Sequence, residues 1–191
     1  MIDGGPSDRR SLFRSAFQKW AGNLMERTEQ RMVARRYQRP PGALPEIGFL
    51  AACTRCGACA EACPPHAIMT VRSDGGLAAG TPHLDAAVQP CTVCPDMPCA
   101  AACPTGALLP PLAGWAGYRL AELTLHPERC IAFHGTACGV CAGACPVGET
   151  ALAIDDAGRP VIRREGCVGC GLCVRACVTT PSSFALTFAE G

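Results

Sequence analysis

The pattern of hydrophobic and polar positions predicts one amphipathic helix near the start of the chain, over residues 11–37. Phe13, Phe17, Trp20 and Leu24 recur at the spacing of one helical face, and charged and amide side chains fill the opposite face. Two consecutive prolines follow this segment, and proline is not tolerated in a helix interior. We therefore expect the helix to end there.

Beyond residue 42 the pattern changes to short apolar runs, each of which follows a group of cysteines. These runs have the length of short strands, and they lie at residues 67–71, 106–109, 151–154 and 184–188. A polar turn at residues 155–159 joins the third run to residues 160–162 and predicts a β-hairpin. We therefore expect an α+β fold in which short antiparallel hairpins and short helices repeat.

Composition shows why the cysteines dominate this fold. The chain has 191 residues, of which 16 are cysteine, and its aromatic fraction is only 5%. Large apolar side chains are too few for a conventional core of this size, so the cysteines and what they bind must supply part of the interior. No run of 18 apolar residues exists, and the sequence therefore predicts no transmembrane segment.

The cysteines form four groups of four with none left over. The first and fourth groups have the spacing C-x2-C-x2-C-x3-C, the second has C-x2-C-x4-C-x3-C and the third has C-x7-C-x2-C-x3-C. Proline follows the last cysteine in the first three groups. The groups are Cys53, Cys56, Cys59, Cys63; Cys91, Cys94, Cys99, Cys103; Cys130, Cys138, Cys141, Cys145; and Cys167, Cys170, Cys173, Cys177.

This spacing is typical of iron–sulfur proteins. Three closely spaced cysteines wrap one [4Fe-4S] cluster, and the fourth ligates the other cluster of a pair. Disulfides between cysteines two residues apart are strained, and zinc sites combine distant C-x2-C pairs or mix cysteine with histidine. The sequence predicts four [4Fe-4S] clusters in tandem bacterial-ferredoxin-like modules. Gly57, Gly139, Gly169 and Gly171 lie in the loops, where we expect the backbone to approach inorganic sulfide.

Charge divides the chain into two predicted domains, a basic arm over residues 1–41 and a body over residues 42–191, joined by a linker over residues 39–42. The arm has nine basic and four acidic residues, and the body has eight and twelve. The formal charge is +1. Four clusters of about −2 each would bring the loaded protein to about −7. We expect the helix either to pack on the body or to dock a partner subunit or a membrane surface. A bare basic arm does not favour nucleic-acid binding.

A twin arginine at Arg9 and Arg10 is similar to the start of a twin-arginine export signal. Such a signal needs an uninterrupted apolar segment next, and here Gln18, Lys19 and Asn23 interrupt it. No small-residue cleavage site follows. We therefore predict a cytoplasmic protein, with periplasmic export as the alternative.

Several stretches resemble the NapG/MauM group of four-cluster ferredoxin-type proteins. They are residues 39–44, 49–64, 80–82, 91–108, 130–146 and 167–177. Val178 departs from the pattern, because it stands where proline follows the other groups. The resemblance implies an α+β protein that carries four [4Fe-4S] clusters and transfers electrons.

Similarity to four-cluster iron–sulfur subunits further implies a nested pairing, in which the first group shares clusters with the fourth and the second with the third. The expected ligand sets are Cys53, Cys56, Cys59, Cys177; Cys167, Cys170, Cys173, Cys63; Cys91, Cys94, Cys99, Cys145; and Cys130, Cys138, Cys141, Cys103. The competing pairing is sequential, first with second and third with fourth. The hairpin between the third and fourth groups favours this second pairing.

The predicted function is electron transfer without catalysis. All sixteen cysteines are used as ligands, and no glycine-rich nucleotide motif is present. We expect an electron carrier to, or the iron–sulfur subunit of, a larger oxidoreductase such as a molybdenum or tungsten enzyme, docked through residues 11–37. The alternative is a maturation factor for a metalloenzyme. His66 and His134 lie near cysteine groups, but a surface position is favoured over a role in tuning a cluster.

Overall fold

The computed structural model describes residues 37–188, which belong to one compact unit. The predicted amphipathic helix and nearly all of the basic arm lie outside the described residues. Within residues 37–188 the chain forms short α-helices and short β-strands. They are α1 (Glu46–Ala52), α2 (Ala58–Glu61), β1 (Ile68–Thr70), β2 (Pro82–Leu84), α3 (Pro98–Ala101), β3 (Glu122–Leu125), α4 (Val140–Gly143), β4 (Leu152–Ile154), β5 (Pro160–Ile162), α5 (Leu172–Ala176) and β6 (Phe184–Thr187).

The strands pair into three small antiparallel sheets that divide the body into two similar lobes. In the second lobe, residues 120–187, β4 pairs with β5 between the third and fourth cysteine groups, and β3 pairs with β6 on either side of them. In the first lobe, residues 38–109, β1 pairs with β2 between the first and second groups. A bridge between Ala43 and Leu108 takes the place that β3 and β6 occupy in the second lobe. Each lobe therefore holds two consecutive cysteine groups.

Four of the predicted strands are confirmed, as β1, β4, β5 and β6. The predicted hairpin is also confirmed: the Asp155 carboxylate accepts the backbone N–H groups of Ala157 and Arg159 and closes the turn. The strand expected at residues 106–109 is wrong, because only one isolated bridge forms there. Gly106 has a left-handed φ of 69°, which breaks the extended backbone. The sequence analysis missed β2 and β3.

The expected linker at residues 39–42 is also wrong. Arg39 is only 1% exposed, and its guanidinium pairs with both carboxylate oxygens of Glu46, at 3.0 and 2.6 Å. It also donates to the Thr81 hydroxyl and to the Pro82 carbonyl, each at 2.8 Å, and lies over the ring of Phe49. This segment is therefore part of the first lobe and is not a spacer.

The two lobes meet along a seam that includes Gln38 and Ala86 of the first lobe and Gly169 and Gly171 of the second. The Gln38 side-chain amide donates to the Gly169 carbonyl at 3.0 Å. A Cβ at Gly169 would lie 2.0 Å from the Ala121 carbonyl oxygen, and one at Gly171 would lie 2.3 Å from the Ala86 Cβ. At these two positions, close packing between chain segments already explains the glycines that we expected from cluster binding.

The interior combines apolar side chains with cysteines, as the composition predicts. Phe49, Met97 and Leu120 are buried in one hydrophobic cluster, and Leu152 and Phe184 are buried in another. The buried cysteines of these two clusters are Cys59, Cys63, Cys91, Cys99, Cys141, Cys170 and Cys173. Within residues 37–188, no helix is both long enough and apolar enough to cross a membrane.

Candidate metal centres

Each cysteine group has the same local structure, in which a loop leads into a helix of four or five residues. A left-handed residue stands immediately before three of these helices: Gly57 before α2, Met97 before α3 and Gly171 before α5. Met97 takes this conformation without being glycine, and its side chain is buried in the core. The helices place the third cysteine of each group in the interior. These buried cysteines are Cys59, Cys99, Cys141 and Cys173.

The first site is a cavity lined by three cysteines of the first group and by the last cysteine of the second. Phe49 and Leu108 complete its apolar wall. The four cysteines are Cys53, Cys56, Cys59 and Cys103. Burial, followed by the proximity of Cys53, raises the pKa of Cys59 to about 11.

The second site combines the rest of the first lobe's cysteines. Burial first, and then the nearby Cys63 and Cys91, raise the pKa of Cys99 to about 12. Burial also raises the pKa of Cys91 to about 11, with smaller contributions from Cys94 and Cys63. Cys63 therefore lies with Cys91, Cys94 and Cys99, although it belongs to the first group in sequence.

The second lobe repeats this exchange. One cavity is lined by the last cysteine of the third group and three cysteines of the fourth: Cys145, Cys167, Cys170 and Cys173. Another is lined by three cysteines of the third group and the last cysteine of the fourth: Cys130, Cys138, Cys141 and Cys177. Burial raises the pKa of Cys173, and the nearby Cys170, Cys167 and Cys145 raise it further.

The cysteines that lie near one another differ from the sets that the nested pairing predicts. Cys177 lies in the second lobe with the third group, and Cys63 lies in the first lobe with the second group. The physical reason is local packing: α2 packs against α3, and α4 against α5, so each helix carries its last cysteine toward the neighbouring group of the same lobe. The structure favours the sequential alternative.

Hydrogen-bond donors surround the last cysteine of three groups. Backbone N–H groups donate to the sulfur atoms of Cys63 at 3.3 Å, Cys103 at 3.5 Å and Cys177 at 3.3 Å. Burial opposes ionisation of Cys177, but the Thr179 hydroxyl and the backbone of Ser183 outweigh it and lower its pKa to about 6. The pKa of Cys103 is also lowered, because the N–H groups of Leu108 and Thr105 outweigh burial. Such donors stabilise a thiolate.

These residues fit [4Fe-4S] clusters. All sixteen cysteines are free of disulfides, and each set provides four thiols, apolar walls and nearby N–H donors. Thiols crowded in apolar surroundings resist ionisation, and bonding to iron is what would stabilise four thiolates there. Among residues 37–188, no three His, Cys, Asp or Glu side chains converge as ligands of a single metal ion would.

Several residues other than cysteine lie beside the cysteine groups. His66 and His134 are exposed, and His134 contacts the Glu128 carbonyl. Sequence reasoning missed Trp115, whose indole N–H donates to the Cys94 carbonyl at 2.8 Å. It also missed Thr179. The signal that could have found Thr179 is a threonine two residues after the last cysteine, which occurs in both the second and the fourth groups.

Comparison with known proteins agrees with the two lobes. Residues 52–107 and residues 122–178 each match a family described as a 4Fe-4S dicluster domain. Two such domains account for four [4Fe-4S] clusters, and sixteen cysteines fit that number. Each match contains two complete cysteine groups.

The relatives that match most of the chain are ferredoxin-type proteins. The chain is 35% identical to the methylamine utilization ferredoxin-type protein MauM of Methylophilus methylotrophus, over 94% of this chain and 86% of that protein. It is 40% identical to MauM of Paracoccus denitrificans, over 73% of this chain and 66% of that protein. It is 37% identical to the ferredoxin-type protein NapG of Escherichia coli, over 73% and 65% respectively. No solved structure matches the chain significantly. The chain therefore belongs to the NapG/MauM family of ferredoxin-type iron–sulfur electron-transfer proteins.

Proposed function

We propose that each of the four cysteine sets holds one [4Fe-4S] cluster. Cavities lined by four cysteines support three of the sets, and the mutual proximity of buried thiols supports the fourth. The proposed ligand sets are Cys53, Cys56, Cys59, Cys103; Cys63, Cys91, Cys94, Cys99; Cys145, Cys167, Cys170, Cys173; and Cys130, Cys138, Cys141, Cys177.

We propose further that the four sites form one unbroken series. Within each lobe, the exchange of last cysteines brings two sites together, and across the seam Cys91 lies close to Cys170. The order of sites would then be the first, second, fourth and third cysteine groups. The proximity of Cys91 and Cys170 is the observation that carries the proposed function, because clusters bound in such a series would accept and release single electrons.

Exposure of the cysteines supports electron exchange at the two ends of the series. Cys56, at one end, is exposed, and Cys138, at the other, is half-buried beside the exposed Val140. In the two central sites most cysteines are buried, including Cys91 and Cys170. We infer that partner proteins contact the two ends and that the centre only relays electrons.

We propose that the partner is a larger oxidoreductase, for which the chain is an iron–sulfur subunit or a carrier. The relatives named for methylamine utilization suggest an enzyme of that process as one class of partner. Docking through residues 11–37, peripheral contact of that segment with a membrane, and a cytoplasmic location remain predictions. We assign no catalytic residue, since the sixteen cysteines are all proposed as cluster ligands.

An anaerobic preparation tests this function. Full loading predicts about sixteen iron atoms and about sixteen sulfides per chain. Stepwise reduction followed by electron paramagnetic resonance (EPR) should show four one-electron centres. A preparation that binds zinc in place of iron, or that saturates at two clusters, would contradict the proposal. Stable co-purification with an active oxidoreductase would support the subunit role, and association only with an immature enzyme would support a maturation role.

A further inference from the structure

We propose that Thr179 and Ser183 make the site of Cys130, Cys138, Cys141 and Cys177 the highest-potential site of the four. Electrons would then flow toward this end of the series and leave the protein there. This inference rests on the proposed function, because it assigns a direction to the series of sites.

The geometry around Cys177 is a short chain of hydrogen bonds that ends on sulfur. The Thr179 hydroxyl lies 3.2 Å from the Cys177 sulfur, and the Ser183 N–H donates to the same sulfur at 3.3 Å. The Thr179 and Ser183 hydroxyls are 2.9 Å apart. A cluster-bound thiolate has no proton, so Thr179 must donate to Cys177, which leaves its oxygen free to accept from Ser183.

Burial makes this chain effective. Ser183 is only 1% exposed, and Thr179 is half-buried, so water competes weakly with their hydrogen bonds. Hydrogen bonds to a bound sulfur stabilise the more negative, reduced state and raise the reduction potential. Donation from Ser183 to Thr179 strengthens the bond from Thr179 to sulfur, since linked hydrogen bonds polarise one another.

The other sites have weaker versions of this arrangement. The Thr105 hydroxyl lies 3.7 Å from the Cys103 sulfur, and the Thr92 hydroxyl lies 3.7 Å from the Cys94 sulfur. Cys63 accepts a backbone N–H from Ala67. Arg119 acts on Cys167 through its charge, but its side chain is exposed and solvent screens it. Among the described residues, Cys177 therefore has the shortest hydroxyl contact to sulfur, and it combines that contact with a backbone N–H donor.

The test uses the full-length, fully loaded protein and the variants Thr179→Val, Thr179→Ser and Ser183→Ala. Midpoint potentials of all clusters are measured by redox titration with EPR detection. We expect Thr179→Val to lower the highest midpoint and leave the other three unchanged. Thr179→Ser keeps the hydroxyl and should restore most of the wild-type value, and Ser183→Ala should give a smaller decrease.

Two controls make the result specific. Thr105→Val removes the more distant hydroxyl at Cys103 and should shift a different midpoint by less. Cys138→Ala should remove the highest midpoint and so assign it to this site. If the highest midpoint belongs to another site, or is the same in Thr179→Val and wild type while all four clusters are present, the inference is overturned. A wild-type protein with fewer than four clusters would instead contradict the proposed function.

Discussion

Cys91 of the first lobe lies close to Cys170 of the second, so the two lobes meet at a pair of buried cysteines. Burial, followed by the proximity of Cys91, raises the pKa of Cys170 to about 11. Both side chains belong to the same hydrophobic cluster, which continues from one lobe into the other. The two cysteines belong to different proposed sites. The seam is therefore the position at which electrons would pass between lobes.

Close packing inside the second lobe gives a first prediction. In Gly169→Ala, the new methyl group would lie 2.0 Å from the Ala121 carbonyl oxygen at a left-handed φ of 67°. We expect this variant to lose clusters at a lower temperature than wild type, measured by bleaching of the visible cluster absorbance under anaerobic conditions.

Two other glycines serve as controls for Gly169. Gly158, in the turn between β4 and β5, has a φ of 78° but open space around its Cβ position, so Gly158→Ala should cost about 1–2 kcal/mol from backbone strain alone. Gly143 lies in α4 with open space, and Gly143→Ala should be neutral or stabilising. Equal effects of Gly169→Ala and Gly158→Ala would contradict the packing explanation.

The buried ion pair gives a second prediction. The Arg39 and Glu46 side chains are only 1% and 10% exposed. Glu46→Ala leaves the Arg39 guanidinium buried without a counter-charge, which we expect to destabilise the first lobe by about 3–5 kcal/mol. The measurement is the urea concentration at which cluster absorbance is lost.

A matched control is the pair of Arg72 and Asp74, whose side chains are 89% and 78% exposed. Asp74→Ala should change stability by less than about 1 kcal/mol. If Glu46→Ala and Asp74→Ala lower the urea midpoint equally, the Arg39 pair does not hold the segment in place.

The start of the body gives a third prediction. A deletion of residues 2–36 keeps Gln38 and Arg39, whereas a deletion of residues 2–41 removes both. The longer deletion loses the Gln38 bond to the Gly169 carbonyl and the Arg39 pair. We expect its clusters to bleach at a clearly lower temperature than those of the shorter deletion. Identical bleaching temperatures would place the start of the body after residue 41, as the sequence alone suggested.

The cysteine spacing predicted the cluster type and number, because most ligands of one cluster lie within a short segment of sequence. The hairpin at Asp155 was predictable for the same reason. The site that the last cysteine of each group joins was not predictable. Cys63 and Cys177 reach their sites because helices pack against each other. Similarity to larger subunits gave partner groups that differ from those that the helix packing brings together.

The interpretation of residues 39–42 as a linker failed for a related reason. Two prolines and a glycine directly follow Arg39, a composition typical of a linker, and a lone arginine is usually exposed. Its carboxylate partner, Glu46, is only seven residues away, but nothing in the local pattern shows that this pair is buried. The hydrogen-bond donors at Cys177 likewise come from residues that the cysteine spacing does not indicate.

Two double variants test the sequential arrangement of ligands most directly. If Cys138 and Cys177 bind the same cluster, Cys138→Ala with Cys177→Ala removes one cluster, or about four iron atoms. Cys56→Ala with Cys177→Ala then removes two clusters, or about eight iron atoms. The measurement is iron and sulfide per chain for both variants, with the number of EPR-active centres. We expect the greater loss for the variant that combines Cys56 and Cys177; a greater loss for the variant that combines Cys138 and Cys177 would contradict the sequential ligand sets and support the nested pairing.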